Sequence, residues 1–151
     1  SYINERILSL FMDWNLEDYG FDEEGLKGRI LGSFEDNGIA PVEDVLKINY
    51  GRKGVVEVSY VADSVDVKFD INFELEEGWK FEGNQINLWL YCGGEELGTK
   101  VDRAMQSLAN KLKLGRVLVS GLDDEDEKFW LEKRSYESAG SGTMGIKLID
   151  F

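Results

Sequence analysis

The stretch VDVKFDINFEL, residues 65–75, decides the fold. Its apolar side chains recur at every second position, with Val67, Phe69 and Ile71 separated by polar residues. Because successive side chains of a strand point to opposite faces, this period predicts one buried face and one face toward water. Strands covered on one side only are typical of antiparallel sheets.

Segments with strand character lie on both sides of this stretch. Their apolar residues are bounded by turn residues, such as Gly51 and Gly54. Strands are therefore predicted over 43–50, 54–63, 85–92, 116–120, 128–136 and 144–150, in addition to 65–75.

Three segments show the 3.6-residue periodicity of helices, and they cover 2–14, 22–36 and 99–113. Thr99 and Asp102 have the spacing of a capping box at the start of the third helix. The order of the elements predicts a single α+β domain over 1–151. We expect a largely antiparallel β-sheet, with two N-terminal helices and one later helix packed on one face.

Charge is the strongest compositional signal. Thirty acidic residues stand against 17 basic ones, which gives a net charge of −13. Such a chain is repelled by nucleic-acid phosphates and by anionic lipid surfaces, so we expect no direct nucleic-acid binding and no membrane binding. A protein partner with a basic surface is favoured instead.

The helix predicted over 99–113 carries a basic face in this acidic chain. We expect the face to pair with acids of the same fold or of a second copy, which leaves a homo-oligomer open. Docking of an acidic partner is the alternative. The residues of this face are Lys100, Arg103, Asn110, Lys111 and Lys113.

The chain shows no stretch of about 18 apolar residues, the length needed to span a bilayer. It opens with an amphipathic segment instead of a basic-then-apolar leader, so we expect a cytoplasmic protein. Its start at Ser1 leaves open that a preceding segment was removed. The single cysteine, Cys92, excludes an intramolecular disulfide and is predicted to be a buried thiol.

Gly140, Gly142 and Gly145 match the G-x-G-x-x-G pattern of nucleotide-binding folds. That pattern works where a glycine turn leads from a strand into a helix whose N-terminus meets the phosphates. Here the following segment alternates like a strand. We therefore predict a hairpin loop between the last two strands and no nucleotide cofactor.

The sequence contains few of the residues that enzymes commonly use for catalysis. The chain has no histidine, which removes the commonest general base and most zinc sites. The run DDEDE, 123–127, fails as a helix-loop-helix calcium loop, because Lys128 and Arg134 occupy positions 6 and 12 of the motif. We predict no metal, no cofactor and no catalytic residue, although a looser divalent-cation site and a pair of catalytic carboxylates remain open.

The same acidic run precedes two aromatic residues, and we predict that it binds the partner. We expect a solvated turn between two strands, in which the acids steer a basic protein and a tryptophan anchors it. The predicted partner-binding residues are Asp123, Asp124, Glu125, Asp126, Glu127 and Trp130.

These features favour an acidic protein-binding module that inhibits, neutralises or chaperones a protein partner. The number of large aromatic residues supports this interpretation, because a single core is not expected to bury all of them. They are Trp14, Trp79, Trp89, Trp130 and Tyr136.

One alternative is a nucleic-acid mimic that blocks a DNA- or RNA-binding protein. Alternate residues on a strand face have a spacing close to that of phosphates, but Lys68 and Asn72 interrupt the row Asp66, Asp70 and Glu74. Mimicry would therefore need acids from several elements, such as Glu17, Asp18, Asp22, Glu23 and Glu24 beside 123–127. The other alternative is a carboxylate-based hydrolase.

Overall fold

The computed structural model describes residues 14–62, 65–74, 84–139 and 143–150. Within these ranges, seven strands form one sheet in the order β1-β2-β3-β4-β5-β7-β6. The paired strands run antiparallel except β4 and β5, which are parallel. The strands are β1 Leu46–Tyr50, β2 Val55–Ala62, β3 Val65–Asn72, β4 Gln85–Cys92, β5 Arg116–Val119, β6 Glu137–Ala139 and β7 Met144–Leu148.

Helical elements complete the predicted α+β class, which is confirmed. They are α1 Glu23–Asp36, α2 Glu95–Lys111 and α3 Asp124–Glu127, followed directly by a π-helix, Lys128–Lys133. There are also two short 3-10 helices: Leu16–Tyr19 precedes α1, and Glu43–Val45 precedes β1. The helix predicted over 2–14 lies outside the described residues, except for its last residue, Trp14.

The two long helices pack on the same face of the sheet. Leu26, Ile30 and Phe34 of α1 are fully buried, as are Met105 and Leu108 of α2. Burying a side chain of this size stabilises a fold by about 1.5–3 kcal/mol. These residues join the inward face of the strands in one core.

The start of α2 differs from the prediction. The helix begins at Glu95, four residues before Thr99, and Gly94 precedes it as the N-cap. The predicted capping box is therefore wrong. The Thr99 hydroxyl donates to the Glu95 carbonyl, and Asp102 lies in the middle of the helix, fully buried.

The strand predicted over 128–136 is also wrong, because most of this segment is helical. The Asp123 side chain accepts a hydrogen bond from the Asp126 backbone N–H at 2.8 Å and so caps α3. The run DDEDE is consequently a cap and a helical turn, not a turn between two strands. The Arg134 backbone N–H donates to the Phe129 carbonyl five residues earlier, which is the π-helical pattern.

A hairpin is present near the C-terminal end, as predicted, but its first strand is β6 and not the segment 128–136, and β6 lies within the stretch predicted as the hairpin loop. Strand β6 pairs antiparallel with β7, from Ala139 opposite Met144 to Glu137 opposite Ile146. Gly145 belongs to β7, so a strand and not a helix follows the glycine pattern. Gly140 and Gly142 lie outside the described residues.

Candidate functional site

The acidic run lies at the N-terminal end of the helical segment formed by α3 and the π-helix. Asp123, Asp124 and Glu125 are exposed, whereas Asp126 and Glu127 are partly buried. Acidic residues in the first turn of a helix interact favourably with the positive end of the helix dipole, which helps explain why the segment is helical. None of the five forms an ion pair within the described part of the chain.

Trp130 does not lie on the surface, so the prediction that it anchors a partner is wrong. Its side chain is 0% exposed and makes edge-to-face contacts with Tyr91, Phe129 and Tyr136, at centroid distances of 5.8, 5.1 and 5.2 Å. The π-helix buries two adjacent aromatic residues, Phe129 and Trp130, against the rest of the core. The indole N–H of Trp130 makes no hydrogen bond among the described residues.

The exposed aromatic residue near the acids is Trp89. It is 45% exposed and sits at a bulge in β4, where Leu88 pairs with Phe69 and Leu90 pairs with Lys68. A bulge leaves one residue without a partner on the neighbouring strand and can redirect its side chain. Sequence reasoning counted Trp89 only among the surplus aromatics, since nothing in an apolar run marks the position of a bulge.

Trp89 is held in place on the outer face of the sheet. Its indole N–H donates to the Asp70 carboxylate at 3.3 Å, and the Lys68 ammonium lies 6.0 Å from the ring centroid. The ring is therefore oriented before any partner arrives. A rigid aromatic side chain of this kind is the common anchor of protein interfaces.

A groove of about 190 Å³ is lined by both the exposed tryptophan and Asp126 of the acidic run. One wall is the end of β4, residues 88–92, and the other is the last residue of β5 with the three residues that follow it, 119–122. Asp126 and Trp130 complete the lining. Gly121 adopts a φ of +69°, a left-handed conformation that glycine adopts without strain, and turns the chain away from the line of β5.

The groove is electrostatically negative. Burial raises the pKa of Asp126, and the nearby Asp123 carboxylate raises it further. Burial also raises the pKa of Tyr91 to about 12, with the Asp126 carboxylate adding to the rise. Burial is the larger cause of both shifts, and the electrostatic part of each comes from neighbouring acids. That electrostatic part indicates a negative local potential, which favours a cationic group.

The opposite end of the helical segment is fixed by a buried polar cluster around Asp102. This carboxylate, 0% exposed, accepts hydrogen bonds from Arg134 Nε at 2.5 Å, the Tyr136 hydroxyl at 2.5 Å and Gln106 Nε2 at 2.8 Å. Three donors satisfy the charge, which is the condition for burying a carboxylate. The cluster joins α2 to the C-terminal end of the π-helix. Its only local signal is one acid on an otherwise apolar helix face.

The other sequence-derived candidates are dispersed. Among the acids that alternate along 65–75, Asp70 accepts a hydrogen bond from Trp89 and Glu74 pairs with Lys53 at 3.4 Å, which neutralises part of the charge of Glu74. On the basic face of α2, Lys100 pairs with Glu96 at 3.8 Å and Lys111 with Asp36 at 3.3 Å, so pairing within the fold is confirmed for these two.

Cys92 was predicted to be buried, and this is wrong. The thiol is exposed, because β4 extends past its last pairing with β5 and ends at the surface.

Within residues 14–62, 65–74, 84–139 and 143–150, no three His, Cys, Asp or Glu side chains are grouped to hold a metal ion. In the same ranges, no helix has the length and apolar character required to cross a membrane. The sequence matches no protein-family model and no curated protein.

Proposed function

We propose that this chain is a protein-binding module that holds a partner with a basic surface and thereby inhibits, neutralises or chaperones it. One observation carries the proposal. An exposed, oriented tryptophan, Trp89, lies across a groove from Asp126, and the acidic run that contains Asp126 has no ion-pair partner among the described residues. The acids steer a basic protein toward the site, and Trp89 takes the anchoring role first expected of Trp130.

Electrostatics and aromatic contact contribute to different steps of binding. Exposed charges mainly raise the association rate, and their effect falls with added salt. A desolvated aromatic contact mainly slows dissociation. The proposal therefore predicts that changes to the acids and changes to Trp89 are distinguishable in binding kinetics.

The test uses a variant with Asp124, Glu125 and Glu127 each replaced by lysine, which leaves the capping residue Asp123 in place. The partner is first captured from source-cell lysate at low salt and identified by mass spectrometry. We expect its association rate with the variant to fall about tenfold or more at low ionic strength, and the difference to shrink as salt is added.

The control reverses three exposed acids that do not line the groove, Glu35, Glu43 and Asp44, and so changes the net charge by the same amount. Equal slowing by both variants would assign the effect to overall charge and contradict the proposed site. Trp89→Ala should raise the dissociation rate with little change in the association rate. Competition of the partner by duplex DNA would instead indicate a nucleic-acid mimic.

A further inference from the structure

Strand β4 extends beyond its parallel neighbour. The ladder between β4 and β5 runs from Gln85 opposite Arg116 to Leu88 opposite Val119, and the Ser120 N–H adds one more bond to the Leu88 carbonyl at 3.0 Å. On its other side, β4 stays paired with β3 as far as Cys92. Among the described residues, no strand pairs with the β5 side of β4 from Trp89 onward.

The groove occupies the place that a longer β5 would fill. Consecutive residues line it on both sides, 88–92 on β4 and 119–122 on the opposite wall. After Ser120 the chain turns away, and the Leu122 N–H donates to the Thr143 carbonyl beside β7. In a strand, alternate residues direct their N–H and C=O groups to each edge, so this part of β4 presents hydrogen-bonding groups toward the groove.

We infer that an extended, basic segment of the protein partner binds in this groove as an added strand along Trp89–Cys92. The inference rests on the proposed function and specifies its binding mode. Backbone hydrogen bonds to β4 provide the register, as in other cases of strand addition to a sheet edge. Lysine or arginine side chains of the segment face Asp126 and the exposed acids of α3, and Trp89 borders the entrance.

The outer edges of the sheet are less suited to binding an extended segment. Strand β6 has only three residues, and β1 carries the exposed Lys47, a residue type that protects edge strands from further pairing. Neither of these strands lines the groove beside the acids of α3. The edge of β4 combines unpaired length, a second wall and negative charge, which is why the segment is assigned there.

The test begins with a displayed library of random twelve-residue peptides, selected on the full chain at low salt. The best peptide is then synthesised unmodified and with alternate backbone amides N-methylated, which preserves its side chains and charge but removes strand donors. We expect the selected sequence to be basic, and N-methylation on the pairing edge to weaken its binding at least tenfold.

Two local measurements locate the peptide. Amide hydrogen exchange should slow at alternate residues within Trp89–Cys92, and alkylation of Cys92, the only cysteine of the chain, should slow at least tenfold in the complex. Protection of the β1 edge instead, or equal affinity of both N-methylated registers and the unmodified peptide, would overturn the inference. A selection that enriches no peptide would overturn it as well.

The same peptide separates this inference from the proposed function. If N-methylation has no effect but the combined substitutions Asp124→Lys, Glu125→Lys and Glu127→Lys abolish binding, the acidic site stands and strand addition is wrong. If the lysine variant binds the peptide as tightly as the wild type, with the β4 amides protected, strand addition stands and recognition of a basic partner is wrong.

Discussion

The helical segment 124–133 has carboxylates near both of its ends, and the two ends are built in opposite ways. At the C-terminal end, Asp102 is completely buried and receives three hydrogen bonds, one of them from Arg134. At the N-terminal end, the acids of α3 are exposed or partly buried, and no cation pairs with them within the described ranges. The buried, hydrogen-bonded carboxylate of Asp102 stabilises the fold. The acids of α3, which lie close together without cationic partners, remain available to bind a cationic group.

This contrast also separates two kinds of tryptophan. Trp130 fills the core beside the buried cluster, and Trp89 remains available on the outer face of the sheet. Large buried side chains supply stability, whereas an exposed and oriented one supplies contact area for a partner. Substitutions at the C-terminal end should therefore change stability, and substitutions at the N-terminal end should change binding.

The largest effect is expected from Asp102→Asn. The substitution keeps the size of the side chain but leaves the Arg134 guanidinium without its charged partner in a mostly buried position. Removal of one member of a buried ion pair typically costs about 3–5 kcal/mol. Denaturant-induced unfolding should show a loss of this size.

The control for Asp102 joins the same two elements at the surface. Glu95 of α2 pairs with Lys133 of the π-helix at 2.6 Å, with both side chains more than half exposed. Glu95→Gln should therefore cost less than about 1 kcal/mol. Similar losses from both substitutions would contradict the structural role assigned to the buried cluster.

A smaller loss is expected from Gly98→Ala, at the closest approach between α2 and the π-helix. An added Cβ would lie 2.8 Å from the Phe129 ring, which is itself buried. Such overpacking typically costs about 1–3 kcal/mol. The free energy of unfolding measures it directly.

Gly28→Ala is the matched helical control, since its Cβ would meet nothing within 4 Å. Alanine favours a helix interior over glycine, so this variant should gain up to about 1 kcal/mol. A gain from Gly98→Ala as well would mean that the π-helix does not lie against α2.

The regular parts of the fold were predictable because their periodicity reflects burial on one side. Strand β3 and helix α1 follow their predicted positions closely, since alternation and an aspartate cap are local signals. The segment 128–136 was mispredicted because its aromatic residues favour a strand by composition. Its helical state depends on the Asp123 cap and on burial of Phe129 and Trp130, and burial is a tertiary effect.

The candidate site was predictable only in part. The acidic run was recognisable from its charge, but the choice of tryptophan depended on which ring the fold buries. Trp130 adjoins the acids in sequence, whereas Trp89 adjoins them only through the groove between β4 and the segment after β5. Sequence proximity therefore selected the wrong aromatic residue, since contact across strands is not encoded locally.

The smallest effect is expected from Asp126→Asn, which removes charge from the crowded end. The pKa of Asp126 is raised by burial and then by Asp123, so the folded state binds its proton more tightly than the unfolded chain does. Tighter proton binding in the folded state stabilises the wild type. This stabilisation is fully present below the unfolded-state pKa of Asp126 and is lost as the pH rises through the folded-state pKa. The variant should be more stable than the wild type near pH 7, by about 0.5 kcal/mol or less because solvent screens a partly exposed carboxylate, and the difference should vanish toward pH 4.

Asp124→Asn removes the same charge from the exposed side of α3 and shows how much of the gain comes from net charge alone. If both variants gain stability equally at pH 7, the groove is no more negative than the surrounding surface. The acids of α3 would then be a solvated surface and not a site poised for a cation. A gain confined to Asp126→Asn, measured together with weaker binding of a basic partner, would show that this end of the segment gives up some stability in order to bind.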